Sequence, residues 1–75
     1  MTPEQQATIV ERSAERTHEA WLAEKLRLNP ELTSWPDARG IEQLRPWAEL
    51  DEQIREFDRV VVRSVLEVVV EELGL

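Results

Sequence analysis

Three residues in the first part of the chain, His18, Trp21 and Lys25, have the types and spacing of a small ligand-binding surface. Positions three and four apart share one face of an α-helix, so a helix through this segment places the three side chains on one strip. An imidazole, an indole and an ammonium on one strip could bind a small ligand. The alternative is a buried indole, a hydrogen-bonded histidine and a solvated lysine, since aromatic residues at helical spacing usually face a core.

A second aromatic residue and two arginines extend the hypothesis of a ligand site. Trp47 offers another flat ring on which an aromatic base could stack, an interaction worth roughly 1–3 kcal/mol per base. Arg59 and Arg63 are one helical turn apart and could hold a phosphate through bidentate contacts. The alternative is that the indoles belong to the core and that the arginines pair with Glu56 and Glu67. The candidate ligand-binding residues are therefore His18, Trp21, Lys25, Trp47, Arg59 and Arg63.

Groups that could perform catalysis are scarce in this sequence. The chain has no cysteine and one histidine, which removes thiolate chemistry and argues against a zinc site. His18 is the one natural candidate for acid–base chemistry near neutral pH. The only two glycines, Gly40 and Gly74, cannot form a glycine-rich phosphate loop. We therefore expect no enzymatic activity, no catalytic residue, no bound metal and no cofactor.

The charge balance limits the partners of this chain. Sixteen acidic residues against nine basic ones give its 75 residues a formal net charge of -7. Because binding to nucleic acid depends on neutralising phosphates, we do not expect DNA or RNA as a partner. The N-terminal residues lack a signal-peptide pattern, and the longest apolar run, 20–23, is far shorter than the roughly 20 residues of a membrane span. We expect a single cytoplasmic domain without a membrane segment.

The first part of the chain has the pattern of one long helix. Thr2 suits the N-cap, and Gln5 stands at the spacing that completes a capping box. Apolar residues then recur at helical spacing, and His18 lies on the same face, so we expect it to be at least partly buried. Since the residue before Pro30 avoids the α region, we predict a helix over 3–28.

The segment 29–50 differs in composition from its surroundings. It holds three of the four prolines and two of the three tryptophans. A connection of this length in a compact domain is usually functional or disordered, and its apolar residues argue against disorder. We predict an ordered loop that folds back onto the helices through Leu32, Trp35, Ile41, Leu44 and Trp47.

The last part of the chain predicts a second helix over 51–73, with Asp51 as its N-cap and Gly74 as its stop. Valine clusters favour strands locally, but the apolar residues fit a 3.6-residue period better than strict alternation. The predicted core-facing stripe consists of Ile54, Phe57, Val61, Val65, Val68, Val69 and Leu73. The predicted fold class is therefore mostly α, with two long helices joined by a long ordered loop.

The second helix is apolar around much of its circumference between residues 60 and 70. A two-helix hairpin buries one face of each helix, so the excess apolar face needs a cover. The loop or a second chain could supply that cover. We predict a homodimer with the valine-rich face partly at its interface.

Two segments resemble the ryanodine-receptor repeat, the RyR domain. HEAWLAEK, residues 18–25, is similar to the His-x-x-Trp…Lys opening of that repeat, and PWAELDEQIREFDRVVVRSVLEVVVEELGL, residues 46–75, is similar to its second half. The matching residues of the second segment are Pro46, Trp47, Leu50, Asp58-Arg59, Val62-Arg63, Leu66 and Leu73-Gly74-Leu75. The family's Gly-Trp-x-Tyr-Gly and His-Pro elements are absent, and Trp47 replaces a tyrosine. These departures all lie in the loop, where ligand selectivity would be set.

The resemblance implies one RyR-like domain over 1–75, of the free-standing prokaryotic or phage type. It implies a mostly helical fold and a homodimer that recreates the tandem pair of repeats in the channels. It also implies binding of an adenine nucleotide, with Trp21 stacking on the base.

Two functional hypotheses follow from the sequence. In the first, the chain is a small, non-enzymatic ligand-binding module that recognises a nucleotide-derived anion through its Trp, Arg and Lys cluster. In the second, it is a structural or protein-interaction module that dimerises without a small ligand. Quenching of tryptophan fluorescence by nucleotides would separate the two.

Overall fold

The protein consists of two long helices that pack against each other, as the sequence predicts. The computed structural model describes all residues 1–75 and contains α1 (Pro3–Leu28), a 3-10 turn (Trp47–Glu49) and α2 (Glu52–Leu73). No strand is present, so the predicted mostly α fold with two helices and a connecting loop is confirmed. Neither helix combines the length and the apolar character that crossing a bilayer requires.

The helix ends are fixed by the capping residues that the sequence predicts. The Thr2 hydroxyl accepts a hydrogen bond from the backbone N–H of Gln5, whose side chain accepts from the backbone N–H of Thr2. The Asp51 carboxylate accepts from the backbone N–H of Gln53 at 2.8 Å. Gly74 ends α2 with a φ of 69°, a left-handed conformation that glycine adopts without strain. These caps satisfy backbone groups that the last turns leave unpaired.

Two carboxylates hold the connection between the helices in shape. Asp37 accepts from the backbone N–H of Ile41 at 2.9 Å and closes a tight turn in which Gly40 has a φ of 85°. Glu42 accepts from the Ser34 hydroxyl and from the backbone N–H groups of Trp35 and Leu44. These bonds hold the pKa of both carboxyls below their usual range. The loop is ordered by charge-assisted hydrogen bonds to backbone as much as by packing.

The core is small and lies where the end of the connection and the first turn of α2 pack against the middle of α1. Ala14, Trp47, Leu50 and Ile54 form its buried cluster, and Ile41 packs against it. The four residues of this cluster, together with Val10 and His18, are the six buried residues among 75. The predicted return of the loop onto the helices is thus carried mainly by the region around the 3-10 turn. Trp35 does not reach the core, because it keeps 42% of its surface exposed.

The predicted core-facing stripe of α2 is wrong except at Ile54. The residues on the less exposed ridge of α2 are spaced four apart, at 54, 58, 62, 66 and 70. The neighbouring ridge is open, with Phe57 67% and Val65 60% exposed. Asp58 interrupts the packed ridge, so a prediction from hydrophobicity alone favours the neighbouring ridge, which the structure leaves exposed. The exposed residues Phe57, Val60, Val61, Val65, Val68 and Val69 are called the valine-rich face below.

Ile54→Ala tests the position of the core. Ile54 is only 6% exposed, and truncating a buried aliphatic side chain costs about 2–5 kcal/mol, so we expect a loss of that order in the free energy of unfolding. The matched control is Leu28→Ala, because Leu28 is 67% exposed, and it should change stability by less than about 0.5 kcal/mol. Urea titration followed by circular dichroism measures both. Equal losses in the two variants would contradict this core.

Candidate functional site

His18 lies at the point where α1, the connection and α2 meet. Its side chain is buried, with 4% exposure, as the sequence predicts. The Nε2–H group donates to the backbone carbonyl of Arg45 at 2.6 Å, since a carbonyl can only accept. Nδ1 faces the Asp58 carboxylate on α2, at 3.9 Å from Oδ2. One imidazole therefore contacts polar groups of the two other segments.

The Asp58 carboxylate is partly enclosed and lacks a hydrogen-bond donor. Its Oδ2 atom is buried and has no partner within hydrogen-bonding distance. Burial raises the pKa of Asp58, and the nearby His18 lowers it by a smaller amount. The net shift is upward, so the charged form of Asp58 is less stable here than in water.

Trp21 and His18 line a cleft between α1, the connection and α2, called the His18 cleft below. The Trp21 ring is partly exposed and stacks on the imidazole, with ring centroids 5.6 Å apart and planes inclined by 29°. The cleft has a volume of about 720 Å³, within the usual range of small-molecule sites. Its other lining residues are Thr17, Asp37, Ala38, Arg39, Gln43, Gln53, Ile54, Glu56, Phe57, Asp58 and Val60.

Lys25 lies one turn beyond Trp21 and contacts two indoles. Its ammonium is 3.7 Å from the ring centroid of Trp35 and 5.7 Å from that of Trp21. Both distances fall within the range of a cation–π interaction. The strip of His18, Trp21 and Lys25 that the spacing predicts is thus present, and Trp35 joins it from the connection.

Trp47 is a core residue and not an open stacking surface. It is 7% exposed and lies in the buried cluster, with its ring 6.3 Å from that of His18. Its other side is covered by Arg59, whose guanidinium carbon is 5.7 Å from the ring centroid. Of the two alternatives that the sequence left open for Trp47, the structure shows the core placement.

Arg59 and Arg63 lie away from the His18 cleft. They line a second groove, between the N-terminal half of α1 and the C-terminal half of α2. Arg59 binds Glu11 at 2.6 Å and also Glu52 and Glu56, and these bonds raise its pKa. The six predicted ligand-binding residues therefore fall into two groups, with Trp47 between them.

The family of this chain follows from a comparison of its sequence with models of protein families. The model of the RyR domain family matches residues 1–73. The chain belongs to the RyR domain family. This family consists of non-enzymatic repeats. The match includes the start of α1, whereas the two segments that resemble the repeat by their motifs begin at His18. No curated protein and no solved structure gave a significant match.

Three residues of this RyR domain's cleft region were not predicted from the sequence. Asp58 was identified only as part of the family motif, although a carboxylate on an apolar ridge is itself a signal. Trp35 was assigned to the loop without a partner. Glu19 has no place among the predicted residues, yet its carboxylate accepts from the backbone N–H of Trp47 at 2.9 Å. That bond joins residues distant in sequence, so no local pattern could indicate it.

Asp58→Asn tests the cost of the enclosed carboxylate. Because the pKa of Asp58 is raised in the folded chain, native stability falls as pH rises through that pKa. We expect the variant to be as stable as the parent at neutral pH, or more stable by up to about 1 kcal/mol, with the difference shrinking towards pH ~3. Urea titrations across this pH range measure it.

The control for this prediction is Glu42→Gln. The pKa of Glu42 is lowered by hydrogen bonds from Ser34, Trp35 and Leu44, so its charged form is stabilised in the folded chain. The contribution of this carboxylate is present above its unfolded-state pKa and is lost as pH falls through the folded one. Glu42→Gln should therefore lower stability at neutral pH. A loss of stability in Asp58→Asn of the same size would contradict the prediction.

Proposed function

We propose that this RyR domain is a non-enzymatic, cytoplasmic ligand-binding module whose His18 cleft takes the planar base of a nucleotide-derived ligand. The observation that carries the proposal is a partly exposed indole, Trp21, stacked on a buried imidazole at the wall of a cleft. Burial fixes the imidazole, and the imidazole in turn supports one face of the indole. A rigid aromatic face beside a cleft is the arrangement that binds a base with little loss of side-chain entropy.

Lys25 is the cation best placed to bind the phosphate of such a ligand. Its ammonium lies 5.7 Å from the Trp21 ring, so a phosphate attached to a base stacked on Trp21 has this charge close by. Arg59 is less suited, because three carboxylates already compensate its charge and because it lies in the second groove. Arg63 shares that groove and could act only on a ligand bound there.

Tryptophan fluorescence with AMP, ADP and cyclic dinucleotides tests this function. We expect saturable quenching of the wild-type protein by at least one of these nucleotides, and affinity roughly 5- to 150-fold weaker in Trp21→Ala, since stacking contributes roughly 1–3 kcal/mol per base. Trp35→Phe is the control, because it keeps an aromatic face for Lys25 and should retain binding. Circular dichroism verifies that each variant is folded. Quenching that persists undiminished in Trp21→Ala, or no saturable response to any nucleotide, rejects the proposal.

A second candidate function is dimerisation through the valine-rich face, and the exposure of that face favours it. Neither α1 nor the connection covers Val65, which is 60% exposed, or Val68, which is 55% exposed. A contiguous apolar surface of this kind is unusual for a monomer and marks an interaction site. The occupant we propose is a second copy of this chain, since six buried residues form a small core for 75 residues and a symmetric pair would enlarge it.

Val65→Glu tests the dimer. Sedimentation equilibrium at ~100 μM should give twice the chain mass for the wild type and a single chain mass for the variant, because a carboxylate cannot be buried in an apolar interface without a large cost. Salt should strengthen association, since each chain carries a formal charge of -7. The control is Ile9→Glu, at a 38% exposed site on α1, which should remain dimeric. A monomeric wild type would reject this second function.

A further inference from the structure

The carboxylate of Asp58 borders the His18 cleft without a hydrogen-bond donor. Nδ1 of His18 faces Oδ2 at 3.9 Å, which is too long for a hydrogen bond, and in the neutral ring whose Nε2–H donates to Arg45 this nitrogen carries no proton. Oδ2 is enclosed, whereas the side chain as a whole keeps 21% exposure and lines the cleft. Since Oδ2 is closed off, Oδ1 is the oxygen left to accept a hydrogen bond from a ligand.

The other charged side chains that line the cleft already have partners. Arg39 binds Asp37 at 2.9 Å, and Glu56 binds Arg59 at 3.3 Å. Asp58 differs from these residues because its charge is neither paired at close range nor fully hydrated. A ligand bound in the cleft removes water from Oδ1, and a carboxylate oxygen that loses water without gaining a donor is costly, so a ligand that supplies the donor avoids that cost.

Asp58 and Trp21 flank the same imidazole. The Trp21 ring centroid lies 5.6 Å from that of His18, and Asp58 Oδ2 lies 3.9 Å from His18 Nδ1. A flat ring that stacks on Trp21 inside the cleft therefore brings one edge towards Asp58. The acidic lining on this side disfavours a phosphate, which leaves the Lys25 side for the anionic end of the ligand.

We propose that Asp58 selects ligands whose stacked ring carries an exocyclic amino group. This inference rests on the proposed ligand-binding function and adds the chemical class of the base to it. A base with an amino group donates to Oδ1 of Asp58, whereas the matched base without that group cannot form this bond. Discrimination by a missing donor is strong because a bound ligand excludes water from Oδ1, and the charged acceptor then stays unsatisfied.

Matched nucleotide pairs test the selection. AMP and purine riboside monophosphate differ only in the 6-amino group, and GMP and IMP differ only in the 2-amino group. We expect isothermal titration calorimetry to show that at least one amino-bearing nucleotide binds the wild type roughly 10- to 100-fold tighter than its partner, the usual effect of one hydrogen bond to a charged group. In Asp58→Ala this ratio should fall to about one.

Two further variants separate selection from folding. Asp58→Asn keeps the shape and a weaker acceptor, so its ratio should be intermediate, and Glu56→Gln changes another cleft carboxylate and should keep the wild-type ratio. Binding of both members of each pair with equal affinity overturns this inference but leaves the proposed function standing, as does a wild-type ratio in folded Asp58→Ala. Absence of saturable binding by all four nucleotides overturns the proposed function and the inference with it.

Discussion

The burial of one imidazole between three chain segments is the constraint on which the rest of the structure depends. The Nε2–H group of His18 holds the backbone of Arg45, just before the chain enters the 3-10 turn. Glu19, on the following position of α1, holds the backbone N–H of Trp47. These two bonds from one helix turn set the entry of Trp47 into the core. The opposite side of the imidazole supports Trp21, so the element that closes the core also positions the cleft.

The remaining contacts between the helices are mostly only partly buried. Arg59 connects α2 to α1 through Glu11, but its partners are half exposed, and surface ion pairs contribute little to stability. The N-terminal half of α1 and the C-terminal half of α2 leave an open groove between them. Of the residues that line this groove, only Val10 is buried. The free energy of folding therefore depends on a few apolar residues near the 3-10 turn. The ligand or the second copy proposed above would add to this stability by binding the folded chain.

The sequence predicted the local features and missed those set by tertiary contacts. Helix bounds and caps follow from short-range rules, and the structure shows them at Thr2, Asp51 and Gly74. The strip of His18, Trp21 and Lys25 also follows from one helical period. The packed ridge of α2 could not be predicted, because two apolar ridges compete and the choice depends on how α1 crosses. The position of Arg59 outside the cleft could not be predicted for the same reason, because helical spacing does not indicate which side of α2 the connection covers.

Carboxylates hold the connection in its conformation as much as apolar side chains do. Asp37 and Glu42 bind backbone N–H groups, which every residue type except proline provides. Of the side chains that the connection contributes to the cleft wall, Asp37 holds the turn, whereas Ala38 takes no part in these bonds. Such a wall can exchange its residues and acquire a new ligand preference while the scaffold stays the same. A domain built on this plan can change the shape of its cleft by substitution at a few positions of the connection.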